Sequence, residues 1–77
     1  MFIATYESRH YSFMAAGNDY HDCFSTMIAT LRAHGAENHL PYHRGNTWWE
    51  DSDINILEIN PGDGYRDYTK IIYEVTV

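Results

Sequence analysis

The apolar residues keep a period of two as far as Ala16 and switch to a period of about 3.6 from Tyr20, and this switch is the strongest constraint on the fold. Residues 2–7 are β-prone, with Phe2, Ile3, Thr5 and Tyr6 suited to a pleated, half-buried surface. Residues 10–16 alternate: Tyr11, Phe13 and Ala15 share one face, and His10, Ser12 and Met14 the other. Ser8-Arg9 supplies a short turn between them, so the two runs read as a hairpin. Gly17-Asn18-Asp19 breaks the strand, and Asn18 or Asp19 can cap a helix by accepting a bond from a free first-turn N–H. Tyr20, Phe24, Met27, Ile28 and Leu31 then form one helical stripe. Asp19 and Asp22 at its start, and Arg32 and His34 near its end, suit the helix dipole. Gly35 fits the C′ position, where φ turns positive and the helix stops.

Residues 36–53 carry no clear period and hold Pro41, Gly45 and the pair Trp48-Trp49. So long a loop is unusual in a small domain. Residues 54–60 set Ile54, Ile56 and Glu58 against Asn55, Leu57 and Ile59, and aliphatics on both faces suggest a central or well-covered strand. Pro61-Gly62-Asp63-Gly64 is a strong turn signal. Residues 68–77 alternate again, with Ile71, Tyr73, Val75 and Val77 on one side and Lys70, Glu74 and Thr76, with Ile72 among them, on the other. The order is ββαββ. The expected fold is α+β: a mainly antiparallel four-stranded sheet with one helix on one face, the helix stripe packing on Ile71, Tyr73 and Val75.

With 77 residues the chain makes one domain, 1–77. A chain this short buries only about 60% of its unfolded surface, which leaves no room for a deep two-domain cleft. An apolar fraction of 44% is nevertheless enough for a core and argues against disorder. The one cysteine, Cys23, has no internal disulfide partner, so the expected compartment is reducing and cytoplasmic. No signal peptide is visible, and the longest apolar run, Phe13 to Ala16, is far short of the ~20 residues that span a bilayer. The chain begins at Met1, and a complete small gene product is expected.

Eleven Asp/Glu against five Lys/Arg give a net charge of −6, which argues against direct nucleic-acid binding because that requires basic side chains to displace counterions from phosphate. Of the five histidines, His34, His39 and His43 are spaced by five and four, but paired Cys-x-x-Cys and His-Glu-x-x-His patterns are missing, and surface histidines are the commoner outcome. No metal and no cofactor is expected. Ser12 and Ser25 lack a nucleophile-elbow context, and there is no Gly-rich phosphate loop. Cys23 stands in the first turns of the helix near His21, where the dipole would favour a thiolate, yet it also adjoins the apolar stripe, and a small buried cysteine is the commoner case. The expectation is a protein that is not an enzyme.

Two acidic knots stand out: Glu50, Asp51 and Asp53 after Trp48 and Trp49, and Asp63 and Asp67 around Tyr65. Adjacent residues on an extended segment point to opposite sides. One tryptophan should therefore close the core and the other stand exposed near the acidic knot, as aromatic anchors do. The expected partner-binding set is Trp48, Trp49, Glu50, Asp51, Asp53, Asp63, Tyr65 and Asp67.

In its size, acidity, Tyr and Trp content and strand-strand-helix-strand-strand order, the whole chain resembles small bacteriophage accessory proteins of the anti-CRISPR and host-takeover inhibitor type. No residue motif carries the resemblance, so no site residue is transferred by it. It implies stoichiometric inhibition in the host cytoplasm, through binding to a CRISPR effector or another host nuclease. Carboxylates placed like phosphates can occupy a Lys/Arg groove on such a partner. The alternative is a small self-associating structural or accessory protein that forms a homodimer through the open sheet face.

Overall fold

The computed structural model describes residues 1–43 and 46–72, without the side chains of Tyr42, His43 and Asn46. β1 (Phe2–Glu7) and β2 (Ser12–Gly17) form an antiparallel hairpin, and helix α1 (Tyr20–Glu37) follows. A minimal ribbon, β3 (Tyr42–His43) with β4 (Asn46–Thr47), leads to a 3-10 turn over Asp51–Asp53. β5 (Asn55–Glu58) then pairs antiparallel with β1, and β6 (Gly64–Arg66) and β7 (Thr69–Ile72) form a last hairpin.

The fold is α+β with one helix and antiparallel strands, but the expected single four-stranded sheet is replaced by smaller ones. The main sheet has three strands in the order β2-β1-β5, and β3-β4 and β6-β7 are separate two-stranded ribbons. The central strand is β1. β5 is an edge strand among the described residues. It carries aliphatics on both faces because Ile56 packs toward the core while Leu57 and Ile59 line a trough roofed in part by the β6-β7 ribbon. Ile71 and Ile72 are exposed and do not receive the helix. Tyr73, Val75 and Val77 lie outside the described residues.

The register sorts the two faces. Phe2, Ala4 and Tyr6 stand opposite Gly17, Ala15 and Phe13, on the side covered by α1, and Ile3, Thr5 and Glu7 stand opposite Ala16, Met14 and Ser12, on the other. The first hairpin turns at Arg9-His10, one residue later than Ser8-Arg9, because Ser8 N–H donates to the Tyr11 carbonyl at 2.9 Å and the Ser8 hydroxyl accepts from Tyr11 N–H at 3.1 Å.

The core joins Ala4, Tyr6 and Ala15 of the sheet to Cys23, Met27 and Leu31 of α1 and to Trp49. Its helix residues recur every fourth position, and Tyr20, expected on the stripe, is exposed. Asp19 is the N-cap, its side chain accepting from Asp22 N–H at 2.8 Å. The first turn of α1 lies so close to β2 that a Cβ on Gly17 would fall 2.3 Å from Cys23 N.

α1 does not stop at Gly35. It runs to Glu37 and ends where Leu40 N–H donates to the Gly35 carbonyl and His39 N–H to that of Ala36, with His39 at φ 57. This is the Schellman arrangement, in which the left-handed residue is usually glycine. Gly35 serves packing instead: a Cβ there would lie 2.8 Å from the Trp48 ring.

Both backbone assignments can be checked by chemical denaturation. Gly17→Ala should destabilise by about 1–3 kcal/mol, because the atoms it meets are backbone and cannot swing away. His39→Gly should stabilise by about 1 kcal/mol, by removing the Cβ penalty of the left-handed conformation.

Candidate functional site

Trp48 and Trp49 do not diverge across an extended strand. They lie in a bend with ring centroids 5.9 Å apart, edge to face, and both pack inward. Trp48 is half-buried, and its indole N–H donates to the Leu31 carbonyl at 2.8 Å. The rings of Tyr6, Phe13 and His34 surround it at 5.9, 5.7 and 5.2 Å. Trp49 is 4% exposed, and its indole N–H donates to Asp51 Oδ1 at 2.8 Å. The buried tryptophan is therefore the one tied to the acidic knot, whereas the exposed one had been expected there. Thr47 adds a clamp, its hydroxyl donating to the Trp49 carbonyl at 2.6 Å.

These bonds fix the 3-10 turn. Glu50, Asp51 and Asp53 are all exposed on it, and backbone bonds from Asp53 N–H to the Glu50 carbonyl and from Ile54 N–H to the Asp51 carbonyl close it. Asp51 thus has two roles, one oxygen holding Trp49 while the residue stays open to solvent.

The second acidic group behaves differently. Asp63 follows β5, whereas the first knot precedes it. Its side chain is 3% exposed, accepts from Asn60 N–H at 3.2 Å and pairs with Lys70 Nζ at 3.1 Å. The Lys70 ammonium also lies 5.8 Å from the centre of the Tyr65 ring, and the hydrogen bond from Lys70 to Asp63 raises its pKa above the ordinary value. Tyr65 O–H donates to the Glu58 carbonyl at 2.7 Å, which ties the β6-β7 ribbon to β5. Asp67 and Tyr68 are exposed at the ribbon's turn.

The expected set therefore falls into three groups. Glu50, Asp51 and Asp53 share one exposed turn; Trp48, Trp49 and Asp63 are engaged inside the structure; Tyr65 and Asp67 line the trough on the open sheet face. Ile3, Met14 and Leu57 also line that trough. Their alternation in the strands was legible in the sequence, but the wall that Tyr65, Asp67 and Tyr68 set beside them depends on the last hairpin folding as a ribbon apart from the main sheet.

Cys23 is fully buried, and its thiol faces the Ala15 carbonyl at 3.8 Å. Burial pushes the thiol above its ordinary value of 9.0, against the lowering that a helix N-terminus alone would give. His34 stacks among Tyr11, Phe13 and Trp48, and Asn38 lies 3.4 Å from its Nδ1. His39 forms the helix stop, and the side chain of His43 lies outside the described residues. Among the described residues, no three His, Cys, Asp or Glu side chains converge as metal ligands, and no helix is long and apolar enough to cross a membrane.

The thiol's environment sets its chemistry. Cys23 should react with a disulfide reagent only as fast as the protein unfolds, a rate that urea raises in step with loss of structure. Because the folded thiol has the higher pKa, its contribution to stability is complete below pH 9.0 and declines as pH rises beyond it. Cys23→Ala should lack that part of the alkaline loss in denaturation measured across the range.

Comparison with protein-family models, with curated proteins and with solved structures finds no match to the chain.

Proposed function

We propose that the protein is a non-enzymatic inhibitor that binds a basic, nucleic-acid-binding host protein through an acidic surface. The observation that carries this reading is the bond from Trp49 to Asp51. It couples a buried ring to an exposed turn and so holds Glu50, Asp51 and Asp53 at fixed spacing. Carboxylates held rigidly lose little freedom on binding, and their combined field attracts a Lys/Arg groove. The net charge of −6 strengthens that field. The likeness to phage host-takeover inhibitors in size and acidity points the same way, and a CRISPR effector or another host nuclease belongs to the partner class it implies.

A second reading, a homodimer through the open sheet face, is favoured by Met14, which is 69% exposed there beside Ile3 and Leu57. Light scattering after size exclusion separates the two: a monomer has a mass of 9.0 kDa, and a dimer twice that.

The inhibitor reading is tested by capture from a bacterial lysate at low salt. Captured proteins should be nucleic-acid-binding, should be displaced by added double-stranded DNA, and should elute as salt rises, because the contact is between solvent-screened charges. Glu50→Gln with Asp53→Asn should lower capture while leaving the fold intact, since neither side chain carries the Trp49 bond. Capture indifferent to DNA, to salt and to this double variant would remove the acidic-mimic idea.

A further inference from the structure

The face of the main sheet opposite α1 forms a trough of about 470 Å³ beneath the β6-β7 ribbon. Its floor is apolar, with Ile3 from β1, Met14 from β2 and Leu57 from β5. Tyr65 and Tyr68 form a wall, anchored by the bond from Tyr65 O–H to the Glu58 carbonyl. Among the described residues, the charged ones that line it, Glu7 and Asp67, are both carboxylates and both exposed.

The wall is built at a cost. Arg66 pairs with Thr69, so Asp67 and Tyr68 are the two central residues of the turn, and both have positive φ, 48 and 65. A two-residue turn of this kind favours Asn-Gly, and a tyrosine in the left-handed region is strained. The Tyr68 side chain is 44% exposed beside the trough, where it gains little from burial.

We infer that this trough is a docking site for a cationic, amphipathic segment of a partner protein, its apolar side chain seated on Ile3, Met14 and Leu57 and its Lys or Arg groups meeting Glu7 and Asp67. Charge selects this occupant over a second copy. A two-fold pairing brings the same patch to both sides of an interface, so a dimer through this face would crowd Glu7 and Asp67 with their equivalents on two chains of net charge −6. The inference rests on the proposed binding of a basic partner and moves the apolar part of the contact from the tryptophan loop to the sheet.

The test is an NMR titration of the full chain, with methyl and amide signals resolved, using a synthetic peptide that has two arginines on each side of Leu-Gly-Leu. The methyl signals of Ile3, Met14 and Leu57 should shift. Glu7→Lys with Asp67→Lys should weaken binding by at least about tenfold, whereas Glu37→Lys, an exposed change at the far end of α1, should alter it much less. Tyr68→Gly should bind more weakly while folding more stably. Shifts confined to residues 50–53 would overturn the trough and leave the acidic-inhibitor reading standing. No shifts anywhere would overturn both. Met14 and Leu57 signals that move with protein concentration, without peptide, would make a second copy the occupant and overturn the inference.

Discussion

The hydrogen bond from the Trp48 indole to the Leu31 carbonyl holds the middle of the chain in place. It spans seventeen residues and lands on a helix carbonyl whose neighbourhood is opened by Gly35, the position where a Cβ would strike the ring. With Trp48 seated, its ring closes an aromatic group that reaches from β1 and β2 through Tyr6 and Phe13 to His34 on the helix. Trp49 then joins the buried core with Tyr6 of the sheet and Cys23, Met27 and Leu31 of α1. Both tryptophans thus pack against the one small core that a domain of this size can build.

The same anchor connects packing to surface chemistry. Once Trp49 is buried, its indole N–H needs a partner, and Asp51 supplies it. That bond orients the 3-10 turn and with it the exposed carboxylates of Glu50 and Asp53. Asp63 meets the opposite fate. It is drawn inward by Lys70 and Asn60 N–H, and it stiffens the entry to the last ribbon rather than presenting charge. Carboxylates that look equivalent in the sequence thus part by what they bond: Asp51 accepts from a buried indole and stays exposed, whereas Asp63, held by Lys70 and Asn60 N–H, is enclosed.

Local chemistry made the first hairpin, the start of the helix and one later turn legible. The alternation of Phe13 and Ala15 against Ser12 and Met14 set the faces of β2, Asp19 capped the helix, and Pro61-Gly62 turned the chain, with Gly62 at φ 91. Gly35 misled because a stop signal and a packing site call for the same residue, and only the distant Trp48 decides between them. The turn at Asp67-Tyr68 was illegible because neither residue is one that such a turn favours. The placement of the last hairpin followed from no local pattern: Lys70 and Ile72 pair with β6 on either side of a bulge at Ile71, and β7 joins no other strand among the described residues. Of the candidate site, the acidic turn could be read from composition, whereas the trough depends on that hairpin and could not.

Exchange of the two indole N–H protons with deuterium, followed by NMR, tests the seating of the tryptophan pair most directly. Both protons should exchange only through global unfolding, at the same free energy as the most protected amides of α1. If the Trp48 proton exchanges at once while the helix amides stay protected, the bond to Leu31 does not hold the loop, and the account of how the acidic turn is fixed fails with it.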